Sequence, residues 1–430
     1  MNSNIKGIYF SHKSKIMLNY WDYITFATSV ISFFAFFTYL LIYLENRKKV
    51  FKDPPLPKKL PKVSILVPAY NEEKTISKTL NSLLKLKYPK HLLEIIAIND
   101  GSTDNTLKIM KKFEKYGIKV IDKPNGGKAS ALNAGLKVAK GDIIVCMDAD
   151  SLVSKNALKY TIGYFRDPKV GAVASSLKVY RPKTFWQKMQ FVEYIYNVFL
   201  RKVLALIDSV FVVPGPFGLY RRSVLEKVGG WEEGNLTEDM ELTMRIQKAG
   251  YRVETSLNSI VYTKTPDTFK RLIKQRIRWY RGFLINARKY KELFFNSRFG
   301  DLGVYTLPLY IIFIAILFIS IASTIYSLYT IARDFILINL KAGIELPELE
   351  IKNIDPPYLF MSVSTVFWLA NIVIYAYIFF ISMRMSKEIN FARGFITYFV
   401  QIILYPFVLA ISWAISMWKE IRGAKVKWER

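Results

Sequence analysis

Two aspartates separated by one residue, Asp148 and Asp150, follow a short apolar run at 143–147. Paired carboxylates at the end of a buried strand suit a hard divalent cation, Mg²⁺ or Mn²⁺, that binds phosphate oxygens. The alternative is a solvated turn, because Asp-x-Asp often occurs by chance. The chain has 430 residues with 1 Cys and 2 His, too few for a disulfide framework or a Cys/His zinc site. Any metal that the chain binds should therefore use carboxylates, and Asp148 and Asp150 are the candidate ligands.

Two other polar positions could bind a nucleotide or its phosphates. Asp100 ends a second β-rich run and precedes Gly101 and Ser102. It could contact a base or ribose, or it could simply begin a turn or cap the next helix. Lys128 follows 125–127 (Asn-Gly-Gly) at a predicted helix start. A cation beside free amides suits a diphosphate, although an ordinary surface lysine is the alternative.

A second acidic pair, Glu238 and Asp239, follows Thr237 and a loop rich in Gly and Trp. One interpretation is helix capping, with Thr237 as the N-cap and the acids in the first turn. The other is a general base, because attack by a sugar hydroxyl requires a carboxylate that takes the proton. We predict Asp239 as that base and Glu238 as its neighbour.

A basic helical stretch at 268–290 contains Gln275, Arg278 and Trp279. Its charges and apolar face are typical of an amphipathic helix at a membrane surface. That interpretation does not account for the tryptophan or the glutamine. Aromatic rings stack on sugars, and arginine binds diphosphate oxygens in a forked geometry. A second amphipathic stretch at 184–207 is equally consistent with an interfacial helix and with core packing.

Strands alternating with helices must position these side chains. We predict strands at 63–67, 94–98, 117–121 and 143–147, and helices at 72–87, 104–115, 128–139 and 240–249. This alternation predicts a mostly parallel sheet with helices on both faces. Ligands of such sheets lie beyond the carboxyl ends of the strands, where residues 68–72, Asp100 and 148–150 fall.

Four uncharged runs are long enough to cross a bilayer, at 23–44, 302–332, 356–383 and 394–418. The composition, 51% hydrophobic with a net charge of +28, fits a soluble part combined with several spans. The positive charge could serve anionic lipids, an anionic substrate or nucleic acid. The long apolar runs indicate a membrane protein, so we expect lipids or an anionic substrate, and not nucleic acid, to be the partner of this charge.

Lysines and arginines near the predicted spans indicate their orientation. Arg47, Lys48, Lys49 and Lys52 follow the first run, so the soluble domain should be cytoplasmic. The acidic loop around 345–355 should then lie outside. Three later spans would also place the C-terminal tail outside, yet 419–430 contains five basic residues. The last run contains Pro406, and a re-entrant segment there would instead keep the tail inside.

These patterns divide the chain into four predicted parts. Residues 1–45 hold the first transmembrane helix, and 46–266 form a cytoplasmic catalytic domain. Residues 267–301 form an interfacial amphipathic helix, and 302–430 form a C-terminal transmembrane region of about three spans. The protein should be a multi-pass protein of the cell membrane that contacts membrane lipids.

Taken together, these motifs resemble the processive family-2 membrane glycosyltransferases, which include cellulose, chitin and hyaluronan synthases. The triplet 237–239 and the chain length look most like poly-N-acetylglucosamine synthases. The matching segments, in chain order, are 67–72, 99–102, 125–128, 148–150, 237–239 and 275–279.

The resemblance implies an α/β catalytic domain of the A-type glycosyltransferase fold, together with an α-helical transmembrane bundle and interfacial helices. It also implies a role for each matching residue. The nucleotide-sugar donor would contact Tyr70, Glu72, Asp100, Lys128, Asp148 and Asp150. The acceptor would contact Gly215, Glu238, Gln275, Arg278 and Trp279, and Asp239 would be the base. Val213 and Pro214 depart from the family, which often has Ser or Cys near this glycine.

The resemblance further implies inverting, processive transfer of N-acetylglucosamine or glucose from a UDP-sugar to a growing polysaccharide. It implies translocation of the product across the membrane and leaves room for a small accessory membrane subunit. Three alternatives stay open: a non-processive enzyme that makes a glycolipid, a transporter with a nucleotide-binding domain, and a tethered nucleic-acid-binding protein. The uncharged spans favour an enzyme over a transporter.

Overall fold

The computed structural model describes residues 20–342, 363–388 and 391–424. Eight strands form one sheet: β1 Val63–Ala69, β2 Leu93–Asp100, β3 Lys119–Lys123, β4 Ile143–Cys146, β5 Leu152–Val153, β6 Val170–Val179, β7 Gly218–Arg221 and β8 Arg252–Thr263. The α-helices are α1 Tyr20–Asn46, α2 Ile76–Leu84, α3 Thr106–Lys111, α4 Lys128–Val138, α5 Ala157–Thr161, α6 Phe185–Leu206, α7 Arg222–Val228, α8 Glu238–Lys248, α9 Phe269–Lys289, α10 Leu307–Ala342, α11 Val363–Ser386 and α12 Phe391–Ile421.

The strand order is β3-β2-β1-β4-β7-β6-β8-β5. The first four strands pair in parallel, and so do β6 and β8. The pairs β4–β7, β6–β7 and β5–β8 are antiparallel. Most neighbours are therefore parallel, as the sequence predicts, and antiparallel pairing is confined to the half that follows β4.

The central strands are buried on both faces. Every residue of β1 and β4 is buried, which explains why each appears in the sequence as a continuous apolar run. Apolar residues of α2 pack with them into one core with members such as Leu80 and Leu83. This packing holds β1, β2 and β4 rigidly, so the loops at their carboxyl ends have fixed positions.

Several predicted elements begin at residues other than those expected, and two of them begin later for a clear local backbone reason. The helix predicted at 72–87 begins at Ile76, because Asn71 adopts φ +54 and residues 72–75 form a hydrogen-bonded turn. The strand predicted at 117–121 begins at Lys119. Gly117 has φ +82 and ends a short 3₁₀ turn, so it belongs to the turn and not to the strand.

The described residues divide into two compact units. One contains those up to Phe37 and those between Ile314 and Ile374, and the other those from Thr38 to Phe313 and from Tyr375 onward. Four helical segments are long and apolar enough to cross a membrane: Tyr23–Asn46, Leu302–Leu337, Thr365–Ser386 and Val400–Ile421. The acidic loop predicted at 345–355 and the tail beyond residue 424 lie outside the described residues.

Three long helices pack together within the second unit. Thr184 caps α6 with a capping box that includes Gln187, and Thr268 caps α9. The last helix, α12, packs against both of them, with Tyr405 and Val408 in one apolar cluster with Met189 and Leu272. Since α6 also packs against β6 and β8, it joins this group of helices to the sheet.

Candidate active site

One large cavity of about 900 Å³ opens beyond the carboxyl ends of β1, β2 and β4. Its walls contain all twelve side chains or glycines that the sequence singles out, although they span more than 200 residues of chain. They are Tyr70, Glu72, Asp100, Lys128, Asp148, Asp150, Gly215, Glu238, Asp239, Gln275, Arg278 and Trp279. The fold thus gathers the predicted residues in one place, and their individual roles stay predictions.

Asp100 fixes the loop that precedes Lys128. The amides of Gly126 and Gly127 donate to its two carboxylate oxygens at 3.0 and 2.8 Å, and Lys123 Nζ lies 2.7 Å from Oδ1. The carboxylate is only 4% exposed. Asp100 therefore anchors the glycine loop at the start of α4, instead of capping the helix that follows it in the chain.

Lys128 joins the two acidic motifs. Its Nζ lies 2.7 Å from Asp148 Oδ1 and 2.9 Å from Glu238 Oε1. Burial disfavours the charged amine, but the two carboxylates outweigh that effect and hold the pKa of Lys128 well above its usual value. The side chain is thus a permanent cation at the centre of the cavity, suited to an anionic ligand such as a diphosphate.

Carboxylates crowd the end of β4. Burial, together with the negative charges of Asp148 and Glu72, raises the pKa of Asp150 to about 6. Such repulsion is what a divalent cation would relieve, and carboxylate oxygens are its preferred protein ligands. Within the described ranges, no cluster of three or more His, Cys, Asp or Glu could hold a metal. The residues present fit a cation held by Asp148 and Asp150 and completed by phosphate oxygens.

Asp239 lies in the first turn of α8. Its Oδ1 accepts from the Met240 amide at 2.8 Å, and Oδ2 accepts from the Gly215 amide at 3.3 Å. Burial and the neighbouring charge of Glu238 raise the pKa of Asp239 to about 6. A carboxylate with this pKa is ionised at neutral pH and is a much better proton acceptor than an ordinary aspartate.

The pKa of Glu238 is shifted in the opposite direction to that of Asp239. Burial works against its ionisation, but the charges of Lys128 and Arg278 outweigh it and lower the pKa of Glu238. The Thr237 side chain does not cap α8, and its Oγ1 accepts from Asn286 Nδ2 at 3.1 Å. The capping interpretation of this triplet therefore fails for the threonine, while both acids face the cavity.

Gly215 leaves no room for a side chain. A Cβ placed there would lie 2.5 Å from Lys128 Nζ and 3.2 Å from Asp148 Oδ1. The loop carrying Val213 and Pro214 thus brings its backbone directly against the charged centre. Val213 is held there by a hydrogen bond from its amide to Thr243 Oγ1, 2.9 Å.

The helix α9 forms the opposite wall. Arg278 donates from Nη1 to the Leu236 carbonyl at 3.0 Å, which holds α9 against the loop before α8. Gln275 Oε1 is buried, and no group of the described chain donates to it. Trp279 lies under the Arg276 guanidinium, whose carbon is 4.2 Å from the ring centroid. This wall thus presents an aromatic ring and an unsatisfied amide oxygen, both suited to a sugar.

Arg276 joins three helices behind that wall. It is fully buried and pairs through Nη2 with Glu193 Oε2 of α6 at 2.5 Å. The hydroxyl of Tyr405, from α12, lies 2.6 Å from the same carboxylate oxygen and 3.0 Å from Nη2. Trp279 is therefore held by a network that includes the last helix.

The helix α6 contributes cavity residues that are not among those predicted from the sequence. Its inner face lines the cavity with Glu193, Tyr194, Asn197 and Arg201. Arg201 forms no ion pair or hydrogen bond within the described chain, and burial lowers its pKa to about 10. The sequence holds a signal for this face, because 193, 197 and 201 are polar residues at four-residue spacing in the apolar C-terminal part of the helix.

Comparison with known proteins gives the relatives of this chain. Residues 61–282, just over half of the chain, match the family described as glycosyltransferase like family 2. The chain is 38% identical over 250 residues to the probable glycosyltransferase YdaM of Bacillus subtilis (strain 168), a match covering 56% of this chain. It is 34% identical over 254 residues to a poly-beta-1,6-N-acetyl-D-glucosamine synthase of Staphylococcus aureus (strain COL), covering 58% of this chain. The chain spans 60% of the length of each of these relatives.

Among solved structures, a mannosyltransferase from Pyrobaculum calidifontis in complex with GDP-Man and Mn²⁺ matches with a TM-score of 0.56. The match covers 81% of this chain and 98% of that one at 22% identity, so it speaks for the fold alone. The predicted fold class, an A-type glycosyltransferase domain combined with apolar helices, is confirmed. With its family profile, its fold and its relatives in agreement, the chain belongs to the family-2 glycosyltransferases.

Proposed function

We propose that the protein transfers N-acetylglucosamine from UDP-N-acetylglucosamine to a growing polysaccharide, processively and with inversion at the anomeric carbon. Glucose is the second candidate sugar. The observation that carries the proposal is Asp239, a carboxylate with a pKa of about 6 beside Lys128 and the aspartate pair. The name of the Staphylococcus aureus relative supports N-acetylglucosamine as the sugar.

In this reaction the acceptor hydroxyl donates its proton to Asp239, and its oxygen forms a bond to the anomeric carbon. The bond between that carbon and the donor phosphate oxygen breaks, and the nucleoside diphosphate leaves with the electron pair. Lys128 balances the charge that develops on the diphosphate. The amide of Gly215 orients the base, because it donates to Asp239 Oδ2.

We further propose that Asp148 and Asp150 hold Mg²⁺ or Mn²⁺. When bound, such an ion supplies positive charge that stabilises the leaving diphosphate. Tyr70, Glu72 and Asp100 would bind the nucleotide at the same end of the cavity. Glu238, Gln275, Arg278 and Trp279 would position the acceptor from the other end.

The four apolar helical segments support a multi-pass membrane protein. The four basic residues within 47–52, just after α1, support a catalytic domain in the cytoplasm, where UDP-sugars are made. Translocation of the product would follow from synthesis on that side, with membrane lipids around the apolar helices. This arrangement keeps the donor and the finished glycan on opposite sides of the membrane.

A second candidate function has an observation of its own. Part of the cavity wall is apolar and contains Leu200, Leu204, Val210 and Phe211. The ring of Phe211 contacts Tyr310, in the first turn of α10, with centroids 5.4 Å apart. An apolar wall beside a candidate span would suit a lipid acceptor, and the product would then be a glycolipid carrying one sugar.

Both candidates are tested by incubating the purified full-length protein with a panel of UDP-sugars and Mn²⁺, followed by mass analysis of the products. Processive synthesis predicts a ladder of oligomers that differ by one N-acetylhexosamine. A single-sugar lipid as the only product would replace processive synthesis with the second candidate. Absence of transfer from every UDP-sugar would overturn the donor assignment.

A further inference from the structure

The last apolar helix, α12, stays in contact with the catalytic unit along most of its length. Its buried residues recur on one face, including Gln401, Tyr405, Val408, Ser412 and Ser416. Their partners lie on α6 and α9: Tyr405 meets Arg276, and the Trp413 ring stacks on Tyr280 at 4.2 Å. A helix that left the unit to cross a bilayer would keep such contacts only near one end.

The residues that follow α11 and the C-terminal end of α12 are also bonded to the catalytic unit. Just before α12 begins, Glu388 pairs with Lys178 of β6 at 3.0 Å, and Lys387 Nζ donates to Asn258 Oδ1 at 2.8 Å. At its end, Arg281 of α9 lies 2.7 Å from Glu420 Oε1 and donates to the Ala424 carbonyl at 2.7 Å. Arg281 and Glu420 are 8% and 14% exposed, so this ion pair is largely shielded from water.

The helix α9 itself belongs to the catalytic unit from end to end. Its middle carries Arg278 into the cavity, and Asn286 donates to Thr237 Oγ1. Tyr290, just beyond its last turn, donates to the buried carboxylate of Glu241. The C-terminal end of α12, which is bonded to α9, therefore lies next to the residues proposed for catalysis.

The outer face of α12 is apolar. Its exposed large residues are Ile402, Ile403, Leu404, Phe407, Ile411, Trp418 and Ile421. Near its N-terminal half lie the aromatic rings of Phe185, Trp186 and Phe269, and the Trp186 ring is 5.0 Å from each of the other two. Exposed Lys270 and Arg271 adjoin these rings. An apolar strip with a basic border fits acyl chains beneath anionic headgroups.

We propose that α12 is not a membrane span but a helix that lies along the catalytic unit in the membrane surface, with the C-terminus on the same side as the active site. With 31 residues it is about 46 Å long, more than the roughly 30 Å of a hydrocarbon core. This arrangement resolves the conflict over the basic tail, because Lys419 and Arg422 then lie on the side where the positive-inside rule expects them.

Cysteine labelling of the full-length protein tests the proposal. The chain has 1 Cys, and Cys146 is buried, so the native protein serves as the unlabelled control. Arg422→Cys, at the end of α12, is compared with Lys115→Cys, on the exposed surface of the catalytic domain. Both are treated with a membrane-impermeant maleimide in right-side-out and inside-out vesicles. We expect both variants to react in the same vesicle preparation and neither in the other.

Reaction of Arg422→Cys only in the opposite preparation would overturn the proposal, because α12 would then cross the bilayer. If lipid shields the cysteine from the maleimide, a second experiment decides the question. A peptide tag is appended to the C-terminus, and the same vesicles are treated with protease. Loss of the tag together with cleavage of the catalytic domain supports the proposal, and protection of the tag there contradicts it. Both experiments compare the side of the membrane on which the C-terminus lies with the side on which the catalytic domain lies. Their outcome is therefore independent of the proposed reaction.

Discussion

The two halves of the cavity are built by different means. The donor half consists of loops at strand ends, where backbone amides and short side chains hold each carboxylate, as Gly126 and Gly127 hold Asp100. The acceptor half consists of the faces of α6 and α9, and it contains unsatisfied polar atoms such as Gln275 Oε1. The donor half is thus fixed in advance, whereas the acceptor half offers hydrogen-bonding groups that a ligand could satisfy.

Asp239 lies where the halves meet, so its replacement should have the largest effect. Asp239→Asn keeps the shape but removes the base, and we expect kcat to fall by about 10²–10⁴-fold. UDP affinity, measured by calorimetry, should stay near that of the native protein. Because the pKa of Asp239 is raised in the fold, its ionisation costs stability as pH rises through about 6. The variant should therefore unfold at a higher temperature at pH 8.

Glu226→Gln is a matched control for that experiment, since Glu226 is an exposed helical carboxylate paired with Arg222. It should leave both turnover and stability nearly unchanged. Full turnover by Asp239→Asn would refute the assignment of the base.

Gly215→Ala should have the next largest effect. The added Cβ would lie 2.5 Å from Lys128 Nζ, so the lysine or the loop must move. Misplacement by about 1 Å costs about 10²-fold in rate, and we expect that loss in kcat/KM. Gly117→Ala is a control at a glycine with open space around it, where a φ of +82 strains the backbone but an added Cβ meets no neighbouring atom. Equal activity of the two variants would mean that the contact at Gly215 is unimportant.

The pH dependence of kcat/KM of the native enzyme should reflect the ionisation of Asp239. With a pKa of about 6, Asp239 is protonated in acid, and kcat/KM should fall about tenfold per pH unit below pH 6. The profile is measured at saturating Mn²⁺, so that Asp150, whose pKa is also about 6, stays ionised. A rate that is flat down to pH 4.5 would show that no group with this pKa is needed.

Trp279→Ala should affect the acceptor half of the cavity and leave the donor half intact. Loss of an aromatic contact to the acceptor is worth about 1 kcal/mol, so acceptor KM should rise by about fivefold to tenfold. Hydrolysis of the donor without acceptor, followed by UDP release, should change little. Trp368→Ala, at an exposed position of α11, serves as the control. Equal loss of transfer and hydrolysis would point to a structural tryptophan.

Tyr405→Phe should have the smallest effect. It removes one hydroxyl from the network that holds Arg276 and Glu193, a change of about 1 kcal/mol. We expect a rise of a few fold in acceptor KM with unchanged donor hydrolysis. Tyr377→Phe, at an exposed position, is its control. An unchanged acceptor KM would confine the network to a role in folding.

The same contrast explains how much could be predicted from the sequence. The positions of the strand-end motifs are predicted correctly, because the buried strands 63–69 and 143–146 determine where the residues that follow them lie. The predicted residues at strand ends consequently fall in one cavity, and those predicted on α8 and α9 line the same cavity. Helix starts were less accurate: the turn before α2 depends on the left-handed Asn71, which no apolar period records.

The residues that were missed depend on tertiary packing. Glu193 and Arg201 face the cavity because α6 packs against α9 and α12, and sequence spacing alone leaves that face ambiguous. The pairing of Arg276 with Glu193 and Tyr405 joins positions up to 212 residues apart, which no local pattern could connect. Composition likewise predicts the last helix as a span, whereas its contacts with α9 support the surface arrangement proposed above.

The central claim is that Asp239 activates an acceptor hydroxyl for direct attack on the donor sugar. The measurement that tests it most directly is the anomeric configuration of the newly formed bond, determined by proton NMR on product made from α-linked UDP-N-acetylglucosamine. A single displacement assisted by one base predicts a β linkage. An α linkage would contradict the claim, because it would require a mechanism other than one direct displacement.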